Sequence, residues 1–182
     1  MAETNSNNAS MNAIQEFSSL FDRMYTLCHE MGWGDPFNYS RAREIHMANT
    51  LGHSIAINYA GADATDEDGP CEYKSTIQSN IQASYNGISV QPTWEELEHY
   101  LRNEKIGKYQ NHYYARYSEG TIVEIYKMTS DNVLECLIPK LREQYNSDTP
   151  RRDPRLGANV TAKEIRNFAT KIYPQTDEET NE

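Results

Sequence analysis

Two runs in the middle of the chain, QNHYYARY (residues 110–117) and TIVEIYK (residues 121–127), constrain the fold more than any other feature. Both are rich in β-branched and aromatic residues, and only Ser118-Glu119-Gly120 separates them. They read as an antiparallel hairpin. Helical patterns lie on both sides of it. From Met11 the apolar residues Ile14, Phe17, Leu20, Phe21, Met24, Leu27, Cys28 and Met31 recur at steps of three and four, the stripe of an amphipathic helix that ends at GWGDP. Residues 1–10 are polar and Asn-rich and read as a disordered lead. A second helix is expected from Ser40 to Leu51, closed by Gly52. SIAINYA (residues 54–60) then has β character.

Past Pro92, TWEE matches a capping box with Thr93 at the N-cap and Glu96 at N3, and opens a short helix to about Arg102. TSDNVLECLIPKLREQY is again helical, with Pro139 expected to kink or restart it. A second capping box, TAKE, with Thr161 and Glu164, opens a last helix whose Ile165, Phe168 and Ala169 would face the core. The last eight residues, QTDEETNE, carry four acids and no base and read as a solvated tail. The expected architecture is one α+β domain over residues 11–174, a central, mixed but mostly antiparallel sheet flanked by helices.

At 182 residues, with 37% hydrophobic and 24% charged residues, the composition is globular. No apolar run approaches the roughly 18 residues of a membrane span, and MAETNSNNAS lacks a basic and an apolar leader region, so a cytoplasmic location is expected. Cys28, Cys71 and Cys136 are widely separated and read as reduced structural thiols. The five histidines show no zinc-site spacing. Net charge is −10, which argues against indiscriminate binding to nucleic acid. Local composition differs from the average. Residues 151–171 hold Arg151, Arg152, Arg155, Lys163, Arg166 and Lys171 against Asp153 and Glu164, and residues 102–116 hold Arg102, Lys105, Lys108 and Arg116 against Glu104. Such patches meet a polyanion if the fold gathers them on one face.

The stretch GADATDEDGPCEYKST (residues 61–76) carries the chemistry. Asp63 lies at the end of the first strand or just past it, DEDGP supplies a turn, and CEYKST returns as a strand. Alternation puts Glu72, Lys74 and Thr76 on one face and Cys71, Tyr73 and Ser75 on the other. Two carboxylates and one ammonium thus converge. Oxygen ligands of this kind suit Mg²⁺, and the lysine is placed to orient or deprotonate an attacking water and to meet developing phosphate charge. The same residues also fit a solvated acidic turn with Glu72 paired to Lys74 across solvent.

Asp63, Glu72 and Lys74 on this hairpin resemble the catalytic signature of the PD-(D/E)XK nucleases, the fold of many type II restriction endonucleases, and most closely the small PvuII-like branch. IGKYQNHYYARYSEGTIVEIYKM and DPRLGANVTAKEIRNFATKIY continue the resemblance in the same order, from about residue 30 to 173. The chain departs from the pattern in having no proline before Asp63, and in lacking a histidine cluster in TIQSNIQASYNGISVQPTW.

The resemblance implies a Mg²⁺-dependent, sequence-specific endonuclease that leaves 5′-phosphate and 3′-hydroxyl ends. Asp63, Glu72 and the backbone carbonyl of Tyr73 would bind the metal and Lys74 would position the water. Glu44, on the helix before the first catalytic strand, is a secondary candidate, because some relatives carry an extra glutamate there; an exposed acid paired with Arg41 or Arg43 is the other reading. For DNA, Ser84, Tyr85, Asn86 and Ser89 follow the catalytic strand and offer hydrogen-bonding groups to bases. Arg151, Arg152, Arg155 and Asn159 form a second base-reading candidate, and Lys105, Lys108 and Lys163 candidate phosphate contacts. A two-fold homodimer through the helix from Met11 to Met31 and a cognate methyltransferase in the same host are also implied. Two alternatives remain: a repair or junction-resolving nuclease of the same fold, and a non-catalytic binding module for DNA or protein.

Overall fold

The computed structural model describes residues 2–57, 61–147 and 153–174. It opens with two helices, α1 (Ala2–Glu30) and α2 (Arg41–Leu51). The polar lead expected to be disordered is continuous with α1, because once a helical turn exists each further residue adds a hydrogen bond. Ser40 stands at the N-cap position of α2, and Gly52 closes it at φ 71°, returning its N–H to Ala48 and Asn49. Four strands follow: β1 (Ser54–Ile55), β2 (Ala64–Asp66), β3 (Gly69–Thr76) and β4 (Ala83–Ile88). The expected strand 54–60 is thus represented by two residues, and 58–60 lie outside the described residues.

Next come α3 (Trp94–Tyr100), capped by the expected Thr93–Glu96 box, and a π-helical turn (Leu101–Lys105). The central hairpin is β5 (Asn111–Ser118) and β6 (Thr121–Thr129). Glu119 at φ 49° and Gly120 at φ 80° make its two-residue turn, the left-handed pair whose twist matches the flanking strands. Then follow α4 (Ser130–Tyr145), β7 (Leu156–Val160), α5 (Ala162–Phe168) and β8 (Thr170–Tyr173). Helix α4 runs on through Pro139, which is exposed, while Leu134, Leu137 and Leu141 bury the opposite face on both sides of it. The last helix is shorter than its pattern suggests. Ile165 is buried, but Phe168 is exposed and the chain turns into β8, where Ile172 and Tyr173 pack on the sheet.

The fold is α+β. Six strands lie in the order β1-β2-β3-β5-β6-β8, all antiparallel except the β3–β5 pair, and β4 with β7 forms a separate two-stranded sheet. Neighbouring residues of β5 serve opposite faces: Tyr113, Ala115 and Tyr117 join Met47 and Ala48 of α2, while Tyr114 joins the larger core under α3, α4 and the small sheet. Cys28, Cys71 and Cys136 are buried free thiols. Among the described residues no helix is long and apolar enough to cross a membrane.

Candidate active site

Asp63 occupies the residue just before β2, and its backbone is held from both sides: Ala56 donates its N–H to the Asp63 carbonyl (3.0 Å), and Asp63 donates its own to Cys71 (3.1 Å). The carboxylate accepts the Tyr73 N–H at 2.8 Å, so it lies across the middle of β3. Strand alternation then brings Glu72 and Lys74 to it. Their side chains form a direct ion pair and are only 19% and 26% exposed, respectively. The pair is therefore part-buried and not across open solvent. The acidic turn is also anchored: Asp66 accepts from the Tyr113 hydroxyl (2.7 Å) and Asn111 (2.9 Å), and Asp68 accepts from Asn111 and Lys127. These bonds fix the hairpin against β5 and β6.

Glu44 has the Arg41 partner of the second reading without its exposure. It is paired with Arg41 (3.2 Å) and accepts from the Ser40 hydroxyl (2.5 Å), yet its side chain is 13% exposed and its charge acts on both Asp63 and Lys74. Burial, then Glu72 and then Glu44 push the Asp63 carboxyl up to about 7, against the opposing pull of the Tyr73 N–H and Lys74. Burial pulls the Lys74 ammonium down, but Glu72, Asp63 and Glu44 outweigh it and its pKa is raised. Lys74 is thus held as a cation.

Asp63, Glu72 and Glu44 against Lys74 and Arg41 leave one negative charge in excess when all are ionised, which a divalent cation would offset. Among the described residues no three His, Cys, Asp or Glu side chains form a ready cage. Mg²⁺ needs no such cage, since it takes one or two carboxylates and fills its remaining positions with water and phosphate oxygens. Asp63 and Glu72 fit such an ion.

The expected DNA contacts divide. Ser84 and Asn86 are exposed on the outer face of β4, and Asn159 of β7 is exposed directly opposite Ser84. Two segments far apart in sequence thus share one ribbon. Tyr85 is a correction: its side chain points inward, and its hydroxyl is bonded to His112 Nδ1 and to the Tyr114 hydroxyl, both at 2.9 Å, because alternation turns it away from Ser84 and Asn86. Ser89 is exposed but lies beside Glu95 and Glu96, an acidic surface unsuited to a polyanion. Lys105, Lys108 and Lys163 are exposed, with the Lys108 ammonium 4.7 Å from the Tyr109 ring centre. Arg155 is exposed and forked onto Asp153. Arg151 and Arg152 lie outside the described residues.

The sequence pattern marked Arg41 only as a partner for Glu44, and did not mark Lys140 or Gln144. Arg41 is 1% exposed and donates to the carbonyls of Trp33 and Ala56 as well as to Glu44. Lys140 donates to the Asn159 carbonyl (2.7 Å), and Gln144 exchanges hydrogen bonds with the Gly157 backbone, so α4 holds β7 in place. No local signal marks these contacts, since each residue acts on a backbone group distant in sequence. Compared with protein-family models the chain matches none, and compared with curated proteins it likewise gives no match.

Proposed function

We propose that the chain is a Mg²⁺-dependent endonuclease of the PD-(D/E)XK type that cuts double-stranded DNA at a defined sequence, acting as the cutting half of a restriction–modification pair. The observation that carries this reading is the convergence of Asp63, Glu72 and a cationic Lys74 in one part-buried cluster, with Asp63 clamped by the Tyr73 N–H. A structural salt bridge would not need the additional carboxylates of Asp63 and Glu44, and burial first, then repulsion from Glu72 and Glu44, raises Asp63.

Bound by Asp63 and Glu72, with the Tyr73 carbonyl as a further ligand, Mg²⁺ would supply positive charge to the scissile phosphate. The residues of the chain do the rest. The Lys74 ammonium orients a water toward phosphorus and faces the charge that develops on the phosphate oxygens. The water oxygen bonds to phosphorus, its proton passes to solvent, and the bond to the 3′ oxygen breaks. The 3′ oxygen takes up a proton, leaving a 3′-hydroxyl and a 5′-phosphate. The β4–β7 ribbon supports base reading, since a two-stranded β-ribbon fits the major groove and Asn86 and Asn159 suit adenine edges. The exposed apolar face of α1 supports a two-fold dimer, one subunit per strand.

The test is digestion of unmethylated phage DNA with Mg²⁺ or with EDTA, beside the Asp63→Ala variant. Discrete fragments that require both Mg²⁺ and Asp63 are expected, with loss of at least about 10³-fold in the variant while it still binds DNA. Structure-dependent nicks on branched DNA would favour a junction-resolving enzyme, and no cleavage by a folded wild type would leave the binding-module reading.

A further inference from the structure

We infer that Tyr85 is a positioning residue that holds the Lys74 ammonium over its ring and thereby links the β4 ribbon to the Asp63–Glu72–Lys74 cluster. The inference rests on the nuclease reading above. Lys74 Nζ stands 5.3 Å from the centre of the Tyr85 ring, within the range at which an aromatic face attracts a cation. The ring itself cannot swing. Its hydroxyl bonds His112 and Tyr114, and His112 is fixed in turn by its contact with the Ile106 carbonyl at 3.2 Å. His112 and Tyr114 belong to β5, where they pair in register with Glu72 and Lys74 of β3. The ring is therefore attached to the same strand pair that carries the catalytic residues.

The other side of Tyr85 faces the ribbon. It pairs with Ala158 of β7, and the register shift between Tyr85 and Ile88 begins at it. Bulges of this kind re-aim neighbouring side chains. Ser84 and Asn86, on either side of Tyr85, point outward from the ribbon while Tyr85 points to Lys74. A shift of the ribbon must then move either the hydroxyl network or the ring beneath the ammonium.

Two substitutions separate the parts of the residue. Tyr85→Phe keeps the ring and loses the hydroxyl; Tyr85→Leu loses the ring. In single-turnover cleavage with enzyme in excess, Tyr85→Leu should slow the wild-type rate by about tenfold, the scale of one desolvated cation–π contact, while its DNA dissociation constant stays within about threefold. Tyr85→Phe should recover most of the rate. A reading independent of cleavage is the NMR shift of the Lys74 ε-methylene protons, assigned with Lys74→Arg. It should be upfield of the other lysines in the wild type, remain so in Tyr85→Phe and return downfield in Tyr85→Leu. A Lys74 signal at the ordinary lysine position in the wild type overturns the inference even if Tyr85→Leu does not fold. So does an active wild type whose Tyr85→Leu variant cleaves equally fast. A wild type that shows the upfield signal but cuts no DNA with Mg²⁺ instead overturns the nuclease reading, and the catalytic role of Tyr85 with it.

Discussion

At the scale of single residues, the cluster around Lys74 places charge where burial disfavours it. Asp63 is the clearest instance, with its carboxyl raised to about 7 from an ordinary 3.8. Because the folded pKa lies above the unfolded one, the folded chain holds a proton through that window which the unfolded chain releases. Stability from this group is present below about 3.8 and is lost as pH rises through about 7. His112 works in the opposite sense. Burial lowers it from 6.5 to about 4, so its contribution is full above about 6.5 and fades as the pH falls. The wild-type profile mixes the two, and a variant separates them. Asp63→Asn should match the wild type in stability near pH 4 and exceed it by on the order of 2 kcal/mol at pH 8, while abolishing cleavage. Urea unfolding at the two pH values checks this, and an unchanged difference would show that Asp63 ionises without cost. Arg41 shows how much one residue can join. Its guanidinium ties the loop after α1, the backbone beside Asp63 and Glu44 into one buried node.

At the scale of elements, the β4–β7 ribbon is the part whose geometry depends most on a close approach. A Cβ at Gly157 would lie 2.5 Å from Asn86 Oδ1 and 3.3 Å from both the Asn86 Cα and the Tyr85 carbonyl. Gly157→Ala must therefore push the Asn86 side chain aside and strain the strand pairing. The expected outcome is a folded protein that retains non-specific DNA binding but loses about 1–3 kcal/mol of discrimination for its site. Competition binding with cognate and scrambled duplexes measures it, and undiminished discrimination would remove Asn86 from base reading. The anchoring of β7 by Lys140 and Gln144 makes such a displacement hard to absorb, since α4 is itself held by Leu134, Leu137 and Leu141 in the larger core.

At the scale of the whole molecule, α1 dominates the exposed apolar surface. Ile14 (63% exposed), Phe17 (69%) and Leu20 (62%) stand out from one side of it, and Phe21 stacks on Phe37 of the following loop at 3.8 Å between ring centres. A contiguous apolar face of this kind is unusual on a monomer, and the proposed dimer would cover it. Light scattering at micromolar concentration should give twice the chain mass, and Phe17→Glu with Leu20→Glu should halve it. A wild type that scatters as a monomer would remove α1 as the dimer contact. The net charge of −10 bears on the same scale. Two of the basic residues near the ribbon are already paired, Arg155 with Asp153 and Lys140 with Glu164, so positive charge there is partly offset.

Local chemistry determined a good deal of this protein. The capping boxes at Thr93 and Thr161, the left-handed Gly52 and the Glu119-Gly120 turn act within four residues, and strand alternation alone puts Glu72 and Lys74 on one face. The length of β1 and the presence of β8 were not legible, because Ser54–Ile55 and Thr170–Tyr173 are strands only by virtue of their pairing with β2 and β6. The inward turn of Tyr85 was hidden for the same reason. Its direction is decided by β7 on one side and by His112 and Tyr114 on the other, none of them near it in sequence. The sequence by itself determined which residues carry charge and where the chain turns. Only the tertiary structure decided which charges are buried together, because desolvation depends on what packs over a group and not on its neighbours along the chain.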